Sequence, residues 1–263
     1  MLAITAGGAV IGVLAISVAE QGGRRVAVLS DVTISEEHRR QGHAGRALRL
    51  AEDWARGRGA SAIWVVTDPA EPVQAALFAS YPLRSRQMIK PLAGRAGLPA
   101  GLTGRAMTVT EFPGWRASVI AGYAADMADS GGTSRDEALA RAELQTSQVL
   151  TEGLRTPGHS LFCLEADGQA VATNWIAHGR WPGVSWVYAV AVSEGHRGKG
   201  YGRAAMLLGE NVTLDAGDTH LALNVFGNND VALGLYQSLG YRAFDNGRSL
   251  DLSPAGAPTD RMS

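Results

Sequence analysis

The sequence has 263 residues, a length typical of one large or two small domains. Hydrophobic residues make up 46% and charged residues 19%, which excludes a chain that is disordered throughout. Lysine and arginine (24) nearly balance aspartate and glutamate (25), so the net charge of -1 offers no broad field to nucleic acid or to an acidic membrane surface. The single cysteine, Cys163, forms no intramolecular disulfide, which suits a cytoplasmic protein.

The N-terminal stretch over residues 1–19 carries no charge and has two interpretations. A targeting segment is one of them, but no Lys or Arg precedes the apolar run. Gly7-Gly8 separates two short apolar runs, which is typical of a hairpin. The pattern therefore favours two buried strands over Leu2–Ala6 and Ala9–Val18.

An internal repeat organises the chain. Residues 35–46 match residues 193–203, with Gly42 and Gly200 158 positions apart (200 minus 42). With a two-residue gap, the match extends back to the N-terminal hairpin. Each half then predicts three strands, a glycine turn, a helix, a strand, a second helix and a last strand. This order indicates an α/β (α+β) fold with a mixed sheet in each half.

The second half predicts more elements than the first. In chain order we expect strands over 105–111, 161–166, 170–178, 184–192 and 220–225, helices over 115–127, 135–154, 202–216 and 229–239, and a last hairpin of strands 241–244 and 249–252 across Asn246-Gly247. Ser134 and Glu137 have the spacing of a capping box. The predicted domains are a shortened one over 1–92, a linker over 93–101, a complete domain over 102–252 and a flexible tail over 253–263.

The glycine turn before the helix at Gly202 predicts an anion site. A strand that turns through glycines into a helix presents free backbone N–H groups and the positive end of the helix dipole, which suit a pyrophosphate. Gly200, Gly202 and Ala205 also satisfy the G-x-G-x-x-A spacing of dinucleotide folds. However, this strand does not open its domain, and Asn224 stands where such folds need an acidic residue.

These residues resemble the GNAT superfamily of acyl-CoA-dependent N-acyltransferases. The family's pyrophosphate signature matches Arg197, Gly200 and Gly202, and again Arg39, Gly42 and Ala44. A second signature matches Asn229, Leu235-Tyr236 and Gly240-Tyr241. The resemblance implies a tandem GNAT fold of two mixed β-sheets, each flanked by helices, in a pseudo-dimeric arrangement.

The resemblance also implies acetyl-CoA or coenzyme A as cofactor, and no metal. The residues expected to bind the cofactor are Val190, Val192, Arg197, Gly198, Lys199, Gly200, Tyr201, Gly202, Arg203 and Asn229, with Arg39, Arg40, Gly42, Ala44 and Gly45 in the first half. The backbone of the third strand, residues 187–192, would face the pantetheine arm and the thioester oxygen.

In the family a helix tyrosine protonates the departing thiolate, and Tyr236 occupies that position. The first half has Phe78 there and Glu71 in place of the asparagine, so we expect the second half to be the active one. Many relatives carry a carboxylate on the third strand, where this chain has alanines, which leaves the general base open. A water chain to Glu165, His178 or Asp126 is one alternative.

The aromatic residues Trp175, Trp186 and Tyr188 are expected to line the acceptor cleft, although core packing explains them equally well. The resulting hypothesis is an N-acetyltransferase that moves acetyl from acetyl-CoA to a primary amine of a small molecule by direct attack. It would act without nucleic-acid or membrane partners, as a monomer (a pseudo-dimer) or a homodimer. The alternatives are a catalytically idle CoA-binding module for sensing or assembly, and a dinucleotide-dependent oxidoreductase.

Overall fold

The computed structural model describes residues 1–21, 24–129 and 133–252. Its described residues form two compact units: the first contains Met1–Arg84 and residues 245–252, and the second contains Ser85–Phe244. The strands are β1 (Leu2–Ala6), β2 (Ala9–Gln21), β3 (Arg24–Ile34), β4 (Ala62–Thr67), β5 (Leu83–Pro91), β6 (Leu102–Ala106), β7 (His159–Ala166), β8 (Gln169–Trp181), β9 (Val184–Val192), β10 (His220–Phe226) and β11 (Arg242–Asp251). The helices are α1 (His43–Gly57), α2 (Pro72–Leu77), α3 (Phe112–Asp129), α4 (Arg135–Val149), α5 (Tyr201–Asp215) and α6 (Asp230–Ser238).

The predicted N-terminal hairpin is confirmed, but the expected burial of its first strand is wrong, because Leu2, Ala3 and Thr5 are exposed. β1 and β2 pair antiparallel, and Gly7 and Gly8 turn between them with φ of 58° and 83°, values that glycine adopts without steric cost. No helix in the described part of the chain is long and apolar enough to cross a membrane.

The first unit is a mixed sheet with helices α1 and α2. Its strand order is β1-β2-β3-β4-β11, in which β3 and β4 are parallel and the other neighbours antiparallel. Ala47, Leu48, Ala51 and Ala55 recur at helical spacing along α1, so one face of that helix is apolar and lies buried in the core.

The second unit repeats this arrangement and adds to it. Its strand order is β6-β7-β8-β9-β10-β5, with β9 and β10 parallel. One core cluster joins the sheet to α5 and α6, and two further clusters contain the buried residues of α3 and α4. The mixed α/β fold is therefore confirmed.

The repeat extends to the irregularities of the sheets. Parallel pairing runs from Val26 to Leu29 along β3 and from Val184 to Val187 along β9, at the spacing of the two glycine turns. Each of these strands also contains a β-bulge one residue past the last parallel pair, at Ser30 and Tyr188, which the register against the preceding strand skips. The two halves therefore share backbone geometry as well as sequence.

Three element predictions were wrong. Asn246-Gly247 makes no turn, because β11 is one strand that pairs with β4 without interruption from Asn246 to Asp251. The strand expected over 105–111 is β6, which ends at Ala106, and the helix expected over 135–154 ends at Val149. The capping box is confirmed, since the Ser134 hydroxyl accepts a hydrogen bond from the Glu137 backbone N–H.

The domain boundaries of the sequence analysis stay a prediction. In the structure, residues 85–92 belong to the second compact unit, where β5 pairs antiparallel with β10. Residues 245–252 belong to the first unit through β11. The tail predicted over 253–263 lies outside the described residues.

Candidate active site

The glycine turn opens α5 with a left-handed backbone. Gly198 and Gly200 have φ of 78° and 81°, and a Cβ at either position would meet no heavy atom within 4 Å, so the surface above the loop is open. Ala204 N donates to Gly200 O at 3.2 Å, but no hydrogen bond among the described residues takes the N–H groups of Tyr201, Gly202 or Arg203. These free donors point out of the positive end of α5.

Basic side chains surround this loop. Arg197 and Lys199 are exposed, and Arg203 is exposed and donates a hydrogen bond to the Ser238 hydroxyl. A cleft of about 360 Å³ lies beside the loop, lined by residues 99–102, 166–167, 199–201 and 203–204. The turn therefore combines backbone donors, positive charge and space, as a diphosphate requires.

The third strand of the second unit has an open backbone edge. β9 and β10 pair only as far as Val187 and Leu223, although β9 continues to Val192 and β10 to Phe226. On its other side β9 remains paired with β8 as far as Val192. Val190 and Val192 therefore lie on a stretch of backbone that no described strand covers on the β10 side.

Helix α6 holds the predicted tyrosine. Asn229 caps this helix, its Oδ1 accepting a hydrogen bond from Ala232 N at 3.0 Å. Tyr236 is 6% exposed, and burial, with a smaller contribution from the charge of Asp126, raises its pKa to about 12. The phenol is therefore protonated throughout the neutral range.

Trp175 lies beneath the surface of the expected acceptor cleft. It is 3% exposed, with Tyr188 stacked on it at 4.6 Å between ring centroids and Trp115 edge-on at 5.8 Å. Its indole Nε1 donates to His159 Nδ1 at 2.9 Å. Trp175 therefore packs beneath the Tyr188 ring and supports it.

Trp186 and Tyr188 surround a cation that the sequence analysis did not single out. The Arg180 guanidinium lies 5.3 Å from the Trp186 ring centroid and 5.6 Å from that of Trp181, and its Nη1 donates to the Tyr188 hydroxyl at 3.0 Å. Arg180 is exposed, and no salt bridge of the described residues includes it. The position of Arg180 between Trp175, Trp181 and Trp186 in the sequence was the signal that could have identified it.

The strand register adds two amides to the same face of the sheet. Trp186 lies beside Ala222 in the parallel pair, and Asn224 follows two positions later on β10, on the same face. Gln87 of β5 is directly opposite Asn224. Sequence patterns did not indicate this pair, because residues 83–92 were expected to belong to the first half.

The three candidate bases have different surroundings. Glu165 is engaged by Arg105 at 2.7 Å, and the His178 ring nitrogens bond Ser160 and Ser185 at 2.8 Å each. Burial lowers the pKa of His178, which a smaller effect of Asp218 opposes. The pKa of Asp126 is raised, first by loss of hydration and then by Asp129.

The glycine turn of the first unit resembles that of the second in backbone conformation but differs from it in side chains. Gly42 has φ of 81° at the start of α1, and Ala44 and Gly45 lie in the first turn of that helix. Arg40 takes the place of Gly198 with φ of 59°, while Arg39 Nε donates to Ile34 O at 3.0 Å. Phe78, in the place of Tyr236, is buried in the core of the first unit.

Comparison with known proteins identifies relatives in both halves. A profile of the Acetyltransferase (GNAT) family matches residues 1–80 and 127–241. A mycothiol acetyltransferase of Pseudarthrobacter chlorophenolicus is 26% identical over 225 residues, which span 82% of this chain and 67% of the relative. The uncharacterized N-acetyltransferase YdgE of Bacillus subtilis is 28% identical over 138 residues, 51% of this chain and 88% of the relative.

Solved structures share the fold. A GCN5-related N-acetyltransferase from Sphaerobacter thermophilus superposes with a TM-score of 0.59 at 15% identity, covering 94% of this chain and 78% of the other. One from Kribbella flavida gives 0.52 at 17% identity, covering 96% and 91%.

Proposed function

The chain belongs to the Acetyltransferase (GNAT) family, and from this premise we propose that its second unit moves acetyl from acetyl-CoA to a primary amine of a small molecule by direct attack. The proposal rests on one observation: the open backbone edge of β9 leads directly into the free N–H groups of the glycine turn. Both features lie between Val187 and Arg203, so one extended ligand can follow them.

The residues present fit coenzyme A. The N–H groups at Gly200–Arg203 and the charges of Arg197 and Lys199 would hold its diphosphate, and the space above Gly198 and Gly200 lets the backbone approach closely. Val190 and Val192 would pair with the amide groups of the pantetheine arm. Bound there, acetyl-CoA supplies an activated thioester carbonyl.

Two groups of the second unit would assist the transfer. Backbone N–H groups on the open edge of β9 would face the carbonyl oxygen, and one such donor to a developing oxyanion contributes about 3 kcal/mol. Tyr236 holds its proton up to a pKa of about 12 and would donate a hydrogen bond to the departing sulfur. The buried setting of this hydroxyl strengthens such a bond, because little water competes for it.

The amine must lose a proton before it attacks. An alkylammonium of pKa about 10.4 costs about 4.6 kcal/mol to deprotonate at pH 7. Of the three candidate bases, Glu165 is held by Arg105 and His178 is hydrogen-bonded on both ring nitrogens. We assign the proton to Asp126, whose raised pKa makes it a stronger base than an ordinary aspartate and whose charge reaches Tyr236.

The acceptor would lie on the face of the sheet that carries Trp186 and Tyr188. Asn224 and Gln87 add hydrogen-bonding amides there, and Arg180 adds a positive charge. An aromatic surface with a few polar groups suits a small, partly apolar amine.

The first unit would keep the cofactor site without the chemistry. Its glycine turn has the same φ at Gly42, but Phe78 offers no hydroxyl. We expect this unit to bind coenzyme A through Arg39, Arg40 and the start of α1.

Calorimetric titration with acetyl-CoA, coenzyme A and NAD, together with thiol release in the presence of an amine panel, tests the proposal. We expect both coenzyme A forms to bind, NAD not to bind, and one class of amine to release thiol. Binding of NAD alone would refute the assignment. Tight coenzyme A binding without turnover on any amine would favour the idle module, which the missing strand carboxylate also supports.

A further inference from the structure

A β-bulge precedes the tip of the β8–β9 hairpin and includes Arg180. Three residues of β8, 178–180, oppose the single residue Ser185 of β9. Bulges of this kind bend a strand and redirect its side chains. Gly179, in the middle of the bulge, has a positive φ of 63°, and its N–H donates a hydrogen bond to the Asp218 carboxylate at 2.8 Å. The backbone that carries Arg180 is therefore fixed by the hairpin itself.

Three aromatic side chains hold the guanidinium of Arg180 in place. Its central carbon lies 5.3 Å from the ring centroid of Trp186 and 5.6 Å from that of Trp181, and Nη1 donates to the Tyr188 hydroxyl at 3.0 Å. The two indole rings lie edge-on to each other at 5.7 Å between centroids. Because these contacts already restrict the arginine side chain, it loses little conformational entropy when it binds a ligand.

The guanidinium has no anionic partner among the residues that the structure describes. Arg180 is exposed, it takes part in no salt bridge there, and only Nη1 makes a hydrogen bond. The Asp218 carboxylate of the same region accepts hydrogen bonds from Gly179 N and the Ser185 hydroxyl instead. The other N–H groups of Arg180 are thus available to a ligand. A planar guanidinium matches the two oxygens of a carboxylate with two parallel hydrogen bonds.

Arg180 lies close to the place where the transfer is proposed to occur. β9 and β10 pair as far as Val187, so the free backbone of β9 begins at Tyr188. Trp186 is two positions before Tyr188, which is a separation of roughly 7 Å along a strand. A small molecule can therefore contact the guanidinium with one end and present an amine at the open edge of β9 with the other.

On the basis of the proposed function, we infer that the acceptor amine carries a carboxylate, as an amino acid does, and that Arg180 binds this carboxylate. The rings of Trp186 and Tyr188 would pack against the apolar part of the substrate, and its ammonium group would lie toward Asp126, the proposed base. The two charges of an amino acid are therefore matched by opposite charges of the second unit. A polyamine, which has a second cation in place of the carboxylate, would be repelled by Arg180.

Matched pairs of amines test this inference. Each pair consists of an amino acid and its amide, in which an uncharged carboxamide replaces the carboxylate, and thiol release from acetyl-CoA gives kcat/KM for both. We expect the wild type to prefer the amino acid by about tenfold or more, mainly through a lower KM, because a hydrogen bond to a charged group contributes this much.

Variants of Arg180 assign the preference to this residue. Arg180→Met keeps an apolar stem against the rings but removes the charge, so the preference for the amino acid should fall about tenfold or more. Arg180→Lys keeps the charge without the planar fork and should give an intermediate preference. The matched control is Arg242→Met at the start of β11, where the arginine is also exposed, and it should keep the preference of the wild type.

The outcomes separate this inference from the proposed function. Turnover of amines without a preference for the carboxylate, or an equal preference in Arg180→Met and the wild type, would overturn the inference and leave the proposed function intact. If no amine is turned over, the proposed function fails, and calorimetric titration with the same amino acids and amides decides the inference separately. Binding of an amino acid that is lost in Arg180→Met would support the carboxylate site, and no binding to the wild type would refute it.

Discussion

Replacing Tyr236 by phenylalanine removes one hydroxyl from the proposed active site and leaves the packing intact. The ring is 6% exposed, lies 6.0 Å from the ring of Tyr241 and belongs to the core cluster of α5 and α6, all of which phenylalanine preserves. A hydrogen bond to a charged group contributes about 1.5 to 3 kcal/mol. We therefore expect kcat to fall about 10- to 150-fold, with little change in the affinity for acetyl-CoA.

The pKa of Tyr236 explains why we expect a hydrogen bond to the sulfur rather than a complete proton transfer. A thiol has an ordinary pKa of about 8.5, so complete proton transfer from a phenol of pKa about 12 is uphill by about 3.5 units, or about 5 kcal/mol. In the proposed mechanism Tyr236 would therefore act as a hydrogen-bond donor while the carbon–sulfur bond breaks. The same pKa predicts that the rate does not decline between pH 7 and pH 10 through loss of this proton.

Thiol release at saturating amine gives kcat, and calorimetric titration gives the affinity for acetyl-CoA. The matched control is Tyr241→Phe, because the Tyr241 hydroxyl is also buried and interacts with Glu210 rather than with the proposed active site. We expect that control to keep kcat within about twofold of the wild type. Equal kcat in Tyr236→Phe and the wild type would remove Tyr236 from the mechanism, and a parallel loss in both variants would indicate a packing effect.

Three further predictions concern the cofactor loop and the stability of the second unit. Gly200→Ala forces a side chain into φ of 81° and should cost about 1 to 2 kcal/mol, weakening acetyl-CoA binding by titration, whereas Gly195→Ala, at an unstrained position with open space, should not. Lys90→Met leaves the buried Glu210 carboxylate without the ammonium that lies 2.7 Å away. The free energy of unfolding, measured in urea, should fall by about 3 to 5 kcal/mol. The double variant Lys90→Met, Glu210→Met should recover most of this loss. Hydrogen bonds from Arg105 lower the pKa of Glu111 from 4.5 to about 2. The ionised Glu111 therefore contributes fully to stability above pH 4.5, and this contribution is lost as the pH falls toward 2. In Glu111→Gln the free energy of unfolding should depend less on pH in this range.

The elements and the glycine turns could be predicted from the sequence because their signals are local. Glycines at Gly7-Gly8 and Gly200 mark backbone that needs positive φ, and the capping box at Ser134 needs only two side chains three positions apart. The Asn246-Gly247 turn failed for the opposite reason. Pairing with β4 along the whole of β11 outweighs the turn preference of two residues.

The proposed acceptor face could not be predicted in full, because its residues meet only through the register of distant strands. Gln87 lies opposite Asn224 across β5 and β10, which are far apart in the chain. Position in the repeat gave no help, since it assigns residues 83–92 to the first half, whereas the compact unit that contains residues 85–92 is the second. Likewise, Tyr188, which stacks on the buried Trp175, lies at a β-bulge that no local sequence signal indicated.

The two glycine turns show which property the shared signature encodes. Gly42 and Gly200 have the same φ of 81°, and both begin a helix whose first N–H groups face outward. Arg40, however, has a left-handed backbone conformation, and the equivalent residue of the second unit is Gly198. This conformation costs a residue with a Cβ about 1 to 2 kcal/mol. The positive charge of Arg40 would favour an anion beside the turn. The shared signature therefore specifies one backbone conformation, which we propose binds phosphate, whereas the proposed capacity for transfer would depend on Tyr236 in place of phenylalanine.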